Sequence, residues 1–354
     1  MNNNEFPQNL PENPAALESY ENLTAMIARL EESSPYAGEI RENGKIILTE
    51  KEGEKNEKFE AVRITDPDSE EARGFSEFLG RYFESNELDS PERMRSGIKS
   101  ADRTAYYAIL NSGREIVCGF SSSYYDLEAD KEASGKKSFF AFDYIATRKD
   151  YGGKKLDREL YREALKFALQ TARAKEQELT ALMWFSTNRR VETLANRFTG
   201  LEFKTTCFKD AEGNIHEVQF TCPPFNPDPK TGLPIDPETK KPAEEDFEKY
   251  GVPEILMLRM IDEKNEINAE ELIRMVKAYW EYNCTFKGTA GEIKASEEAV
   301  KTNREIVDGF IRTLENQISQ AENGRIILLG AREKLKVKKE LEAEGKKFIM
   351  SEVK

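Results

Sequence analysis

The order of periodic segments predicts an α/β chain of the α+β kind, and three stretches carry that prediction. TAYYAIL and EIVCGFSSSYYDL alternate apolar and polar residues on either side of Asn111-Ser112-Gly113, so they form an antiparallel hairpin. SFFAFDYIAT reads as a strand and runs straight into RKDYGGKKLD and a long helix whose Leu156, Leu160, Ala164, Phe167 and Ala168 share one face. TALMWFS is the next strand; EFKTTCF and HEVQFTC then surround a turn at Glu212-Gly213-Asn214, and PEILMLRMI closes the unit as a buried strand.

The remaining elements follow in order. Residues 1 to 14 are rich in Asn, Pro and Gln without periodicity and read as a disordered lead-in. Leu17, Tyr20, Leu23, Ile27 and Leu30 make 15 to 32 an amphipathic helix, and KIILTE a short strand. The charged stretch 50 to 58 separates this piece from FEAVRIT, a strand, and from a helix with Phe75, Phe78, Leu79, Tyr82 and Phe83 on one side. The segment 128 to 138 is a charged loop, and 188 to 198 a helix. Prolines at 223 to 243 cannot join a ladder, so PPFNPDPKTGLPIDPETKKP is an insertion without regular structure. Beyond it, Leu272, Val276, Tyr279 and Trp280 mark one helix, and Val300, Val307, Phe310, Ile311, Leu314 and Ile318 another. That second stripe is too apolar to face water, so it packs on the core or on a second copy of the chain, the route to a homo-oligomer. The divisions expected are 1–57, 58–262 with its insertion, and a mainly helical 263–354.

Composition narrows the function. A formal net charge of −13 repels a phosphate backbone, so nucleic acid is not expected as a partner. The lysines of the last thirty residues read as the solvated face of a helix. Four scattered cysteines lack a CxxC pair and no apolar run is long enough to span a bilayer, so a cytoplasmic protein without disulfides, structural zinc or a membrane partner is expected. The single histidine, His216, excludes a Ser-His-Asp triad or a multi-histidine metal site in practice, and reads as an exposed strand residue.

SFFAFDYIATRKDYGGKKLDRELYREALKFA resembles the central motif of the GNAT superfamily of acyl-CoA-dependent N-acyltransferases, in which a strand leads into a glycine-rich turn and a helix that holds the CoA pyrophosphate. TNRRVETLANRFTGLEF is similar to its later motif, where an Asn opens a helix that ends before a Gly-Phe pair. The resemblance covers 58–262. It implies a mixed, mostly antiparallel central sheet flanked by helices, with helical extensions at both ends. It also implies acetyl-CoA or another acyl-CoA as co-substrate, and a small-molecule or peptide amine as acceptor.

By this resemblance Asp143 is the general base, and backbone groups at Ile145 and Thr147 pair with pantetheine. Gly152, Gly153 and the amides of Lys154, Lys155, Leu156 and Asp157 cradle the pyrophosphate, and Asn188 contacts CoA. The physics of such a turn is independent of the family: helix N-terminal amides are unsatisfied donors with partial positive charge, and glycine lets backbone approach a ligand. Plainer roles exist for each residue. Asp143 can be a solvated or hydrogen-bonded strand residue, Ile145 and Thr147 are strand formers, Gly152-Gly153 is a strand-to-helix turn, and Asn188 is an N-cap.

The sequence also departs from the family pattern, Arg/Gln-x-x-Gly-x-Gly/Ala. Its first position falls on Gly152 and its small positions on Lys155 and Asp157, so Asp157 sets an anion on the first turn. The tyrosine that serves relatives as general acid falls on Ala195 or Asn196. Tyr124, Tyr125 and Tyr144 lie near the expected cleft, but strand aromatics are more often packing than catalytic. An N-acyltransferase is the first expectation; a GNAT-like binding or assembly module without catalysis, and a related acyl-CoA enzyme of other chemistry, are its rivals.

Overall fold

The computed structural model describes residues 13–40, 45–51, 57–83, 87–127, 136–189, 201–236, 238–243, 247–289 and 291–351. The lead-in, most of the charged stretches at 50–58 and 128–138, and the helix expected at 188–198 lie outside these residues. The chain runs through α1 (Pro14–Glu32), β1 (Tyr36–Ile40), β2 (Ile46–Glu50), β3 (Lys58–Ile64), α2 (Glu70–Leu79) and α3 (Pro91–Lys99). It continues with β4 (Thr104–Leu110), β5 (Ile116–Asp126), β6 (Lys137–Thr147), α4 (Leu156–Lys175), β7 (Glu178–Ser186), β8 (Lys204–Lys209), β9 (Ile215–Glu217), β10 (Phe220–Cys222) and β11 (Val252–Met260). Last come β12 (Glu266–Asn268), α5 (Ala269–Asn283), α6 (Glu297–Ile318), β13 (Arg325–Leu329), α7 (Ala331–Ala343) and β14 (Phe348–Ile349).

All the strands join one mixed, mostly antiparallel sheet in the order β1-β2-β3-β4-β5-β6-β7-β11-β8-β13-β12, with β10 on β11 and β9 between β8 and β14. Two pairs are parallel: β14 with β9, and β6 with β7, the latter joined by the crossover helix α4, which parallel neighbours require. Their pairing starts at Lys137 opposite Glu178 and ends at Phe142 opposite Trp184. Beyond that point β6 continues to Thr147 on β5 alone, and β7 continues to Ser186 on β11 alone, so the two strands part in mid-sheet.

Alternation divides the core. Ala61, Tyr107, Phe120, Phe140 and Leu182 point to the face covered by α1 and α4. There the Tyr20 hydroxyl of α1 lies 3.0 Å from the carbonyls of both Ala172 and Gln177, tying α1 to the end of α4. Val62, Tyr106, Ala108 and Ala146 face α2 and α3 on the other side, and Phe139, Met183, Leu256 and Leu258 face α5 and α6. The helices start where short polar side chains cap them: Ser69 accepts from the Ala72 amide at 3.1 Å, Asn268 from Glu270 at 2.8 Å and Ser296 from Ala299 at 3.0 Å.

Several expectations change. The helix expected to include Tyr82 and Phe83 ends at Leu79, and Tyr82 is exposed. HEVQFTC is two short strands, because β9 pairs with β8 while β10 crosses to β11. The insertion 223–243 holds only isolated bridges, Pro227 with Pro234 and Ile235 with Pro242. Residues 263–354 supply helices and also β12, β13 and β14, and β13 lies inside the sheet next to β8. His216 is half-buried, stacked at 4.9 Å on Phe208 with Nε2 2.8 Å from Asp210. Burial pushes the Asp210 carboxyl up, but hydrogen bonds from His216 and Asn214 prevail and hold it at about 2.

The stripe Val307, Phe310, Ile311, Leu314 and Ile318 is buried against the chain's own sheet and α5. Leu314→Ala should therefore cost about 3 kcal/mol of stability, read as a lower denaturant midpoint at unchanged m-value. Deleting 290–354 should uncover this core and drive aggregation, and light scattering would show it.

Candidate active site

The feature that sets this region apart is one extra residue in β6. Along β5, Ser121 lies opposite Tyr144 and Ser122 opposite Phe142, so Asp143 has no residue across from it. This β-bulge inverts the alternation of side chains beyond it. Phe142 and Ile145 pack on the α1–α4 face, whereas Tyr144 packs on the α2–α3 face. Asp143, between them, points to that second face as well, toward Ser123 and Thr104. The bulge falls where β6 loses β7, so Asp143 stands at the mouth of the parting strands.

Its carboxylate sits among polar groups with little water. Ser123 Oγ donates to Asp143 Oδ2 at 2.7 Å. Oδ1 is buried and makes no hydrogen bond of normal geometry, and Thr104 Oγ1 and Arg93 Nε are orphaned in the same way. These three residues line, with Asp89, Tyr106 and Tyr282, a cavity of about 20 Å³, room for one water molecule. Burial pushes Asp143 up to about 7; Ser123 opposes this, the charge of Asp89 adds to it, and the Tyr279 hydroxyl draws it back. Burial likewise pushes Asp89 up to about 6 against the pull of Arg93.

The cavity is roofed by α3 and the chain after α5. Arg93 donates to the carbonyls of Asn283 and Thr285, each at 2.7 Å, and Ser96 Oγ to the Gly288 carbonyl at 3.0 Å. Asn283 Nδ2 reaches the Tyr125 hydroxyl at 2.7 Å. Of the candidate acids, Tyr144 accepts from the Asp89 amide and donates to the Glu87 carbonyl, and Tyr124 lies 2.5 Å from Ser138 Oγ on the opposite face. Burial raises the pKa of all three tyrosines, Tyr124, Tyr125 and Tyr144. Ala195 and Asn196 lie outside the described residues.

On the other face, the gap between β6 and β7 is packed with rings. Trp184 lies 5.8 Å from Tyr161, 6.2 Å from Phe142 and 5.8 Å from Phe203. Ile145 packs against this core, and Thr147 Oγ1 lies 3.2 Å from Cys118 Sγ. Asn188 closes a tight turn with Ser186, whose Oγ meets both its amide and its carbonyl at 3.1 Å.

Gly152, Gly153 and Lys155 are exposed at the start of α4, and Leu156 is buried under its first turn. Gly153 has φ +85° with open space around it, and Lys155 turns the chain into the helix at φ +58°. Lys154 pairs with Glu57 and lies over the Phe59 and Tyr151 rings, while its carbonyl accepts from the Tyr36 hydroxyl at 2.8 Å. Burial raises the Asp157 carboxyl, and the amides of Arg158 and of Asp157 itself, which bond to it, lower it. An anion at this helix end therefore meets an internal carboxylate already on the first amides.

The structure thus brings Asp143 next to Asp89, Arg93, Thr104 and Ser123, none of which sequence reasoning singled out. The signal for Asp89 and Arg93 was the cap sequence Asp89-Ser90-Pro91, which marks a helix start and says nothing of the strand beneath it. Among the described residues no group of three or more acidic, His or Cys side chains could hold a metal ion, and no helix is long and apolar enough to cross a membrane.

No protein-family model matches the chain, and no curated protein matches it by sequence. Many solved structures do, and GNAT acetyltransferases are prominent among them. NAA60 of Arabidopsis thaliana, in complex with a bisubstrate analogue, is 9% identical over 58% of this chain and 99% of its own, with a TM-score of 0.36. An acetyltransferase of the GNAT family from Staphylococcus aureus Mu50 is 10% identical over 57% and 99%, with a TM-score of 0.31. The aminoglycoside 6'-N-acetyltransferase AAC(6')-Ih of Acinetobacter baumannii is 11% identical over 40% and 90%, with a TM-score of 0.30.

Titration of Asp143 has a consequence for stability. Its folded pKa of about 7 exceeds an unfolded value near 4, so the native state holds the extra proton between those limits. Stability should be greatest below pH 4 with respect to this group and should fall as pH rises through 7. In Asp143→Asn the fall should become shallower, and what remains comes from Asp89 and from Glu254, which burial raises to about 6 and about 8. Melting temperature measured from pH 5 to 8 would show it, and identical slopes in both proteins would contradict it.

Proposed function

We propose that the chain is an acyl-CoA-dependent N-acyltransferase, with acetyl-CoA or a longer acyl-CoA as donor and a small-molecule or peptide amine as acceptor. The observation that carries this reading is the Asp143 carboxylate, which faces a one-water cavity beside the bulge, at the point where β6 and β7 separate. A carboxyl group with a pKa near the working pH is suited to take a proton from an attacking amine. The amine adds to the thioester carbonyl and forms the C–N bond, its proton passes to Asp143, and the C–S bond breaks with CoA leaving as the thiolate, which is protonated from solvent while Asp143 returns its proton to solvent. The amides of β6 freed from pairing with β7 are available to polarise the thioester carbonyl.

The turn before α4 favours the same donor. Gly152, Gly153 and Lys155 are exposed, no atom lies within 4 Å of a side chain built at Gly153, and two lysines add charge. Such a turn suits a pyrophosphate. The role of Thr147 and Ile145 is the backbone strip along the freed edge, and that of Asn188 the turn after β7.

One observation favours the rival reading of a binding module without catalysis. The Asp157 carboxylate bonds the first amides of α4, and like charge at a partly desolvated helix end opposes a pyrophosphate.

Calorimetric titration with acetyl-CoA and longer acyl-CoAs separates the two. For an acyltransferase, Asp157→Gly should tighten binding by about 1 kcal/mol at low salt, and less as screening rises. Asp143→Asn should lower turnover, followed as thiol release, far more than it changes acyl-CoA affinity. No binding by the natural chain and by the Asp157 variant at millimolar ligand would overturn the enzyme reading in favour of the module.

A further inference from the structure

The Asp143 cavity is built by more than Asp143. Asp89 comes from the segment that enters α3, Arg93 from α3 itself, Thr104 from β4, Ser123 from β5 and Tyr282 from the end of α5, and all of them line the same small space. Three polar atoms aimed into it lack a partner: an acceptor at Asp143 Oδ1, a donor at Arg93 Nε and the hydroxyl of Thr104. Thr104 is 4% exposed and Arg93 4% exposed. Buried polar atoms are seldom left unsatisfied, and a single water accepting from Arg93 or Thr104 and donating to the carboxylates satisfies the set. Neither carboxylate has a cation bonded to it among the described residues; the guanidinium of Arg93 spends its other nitrogens on the carbonyls of Asn283 and Thr285.

Two carboxylates in one water-sized, weakly hydrated space cannot both be ionised at little cost, because each charge raises the energy of the other. We propose that Asp89 and Asp143 act as one carboxyl pair that holds a single proton through a water in this cavity, with Asp89 the positioning residue whose charge decides how readily Asp143 takes it. The remaining groups that face the pair are Arg93 from α3, Tyr106 from β4, Tyr125 from β5, Tyr144 from β6, and Tyr279 and Tyr282 from α5. Arg93 is the one cation among them. Tyr106, Tyr125, Tyr144 and Tyr279 stay neutral across the working range, since burial raises each of them. The direction found for Asp143, up, with the Asp89 charge among its causes, agrees with a shared proton.

The catalytic consequence rests on the acyltransferase reading; the pair itself does not. At the upper end of its titration the pair carries two negative charges, and the charge of Asp89 raises the proton affinity of Asp143. When the acceptor nitrogen loses a proton, the cavity water takes it and hands one of its own to Asp143 Oδ1, leaving the pair with its one shared proton and the water restored. Asp89 thus helps to keep the base poised near neutrality and touches no substrate.

Carboxyl-carbon NMR of the full chain, labelled at aspartate and titrated with pH, tests the pair without any ligand. In the natural protein both side chains should report the same two macroscopic steps. In Asp89→Asn the midpoint of Asp143 should move down by about one unit. In Asp143→Asn the midpoint of Asp89 should move down by the same amount, because coupling between two binding sites is reciprocal. Either variant suffices should the other fail to fold. An unmoved midpoint in the folded variant, or independent single-step curves in the natural protein, would overturn the pair. Given turnover, Asp89→Asn should also move the acidic limb of the pH–rate profile down by the NMR shift, with KM for acyl-CoA unchanged. A chain that shows the coupled titration but no turnover keeps the pair and loses the acyltransferase, so the two failures are distinct.

Discussion

Side chains alternate along a strand, so one unopposed residue changes the phase of everything that follows it. In β6 that residue is Asp143, and three features depend on it. It lets Phe142 and Ile145 both serve the core under α4 while Tyr144 serves the core under α3. It sets the Tyr144 ring on the same face as the Asp143 carboxylate, where regular alternation would send it to the opposite one. It also coincides with the end of the β6–β7 ladder, so the freed backbone edge and the buried acid occupy one level of the sheet.

The two faces at this level have opposite character. Toward α4 the space between the strands is filled by Trp184, Tyr161, Phe142 and Phe203 in edge-to-face and tilted contacts, an arrangement that keeps the parted strands from collapsing onto each other. Toward α3 the space is polar and closed by hydrogen bonds from Arg93 and Ser96 to the chain after α5. The segment after residue 262 is therefore part of the wall of the candidate site. The N-terminal extension makes a similar contribution at α4, where Ser34 donates to the buried Glu159 at 2.5 Å and Glu159 pairs with Arg162 at 2.7 Å.

Elements with a clean period were legible in the sequence. α1 and α4 each bury a stripe that recurs at helical spacing, while β4, β5, β7 and β11 were legible as short apolar runs between turns and are buried on both faces over most of their length. α3 was not, because the face it buries includes Arg93, Ser96 and Gly97, whose polarity hides the period. Gly97 is there for space: a side chain at this position would meet the Tyr106 hydroxyl at 2.3 Å. β12 and β14 span three and two residues, too few to show a pattern. At the candidate site, the position of Asp143 came from resemblance, but its surroundings come from four separate elements, and no spacing along the chain encodes them. The single strand expected for HEVQFTC divides because Glu217 is drawn to Arg189 at 2.8 Å and Lys334 at 2.9 Å while Phe220 turns to β11.

The strand order also fixes when the molecule can be complete. β8 touches β11 through only two residue pairs, Met257 with Thr205 and Leu258 with Lys204, whereas β13 covers four residues of its other edge. β9 takes three residues of β8 on the edge it shares with β11, but since β13 spans Arg325–Leu329, the opposite edge of β8 has no partner until more than a hundred further residues have been made. Such long-range closure is slow and leaves strand edges open in the meantime. A nascent chain can settle β3 to β7 around α4 early, but one edge of Cys207 and Phe208 must wait for Ile327 and Ile326. Until β13 is in place, that edge of β8 offers unpaired backbone groups to any other strand, so the last part of the chain also serves as the guard of a strand made long before it.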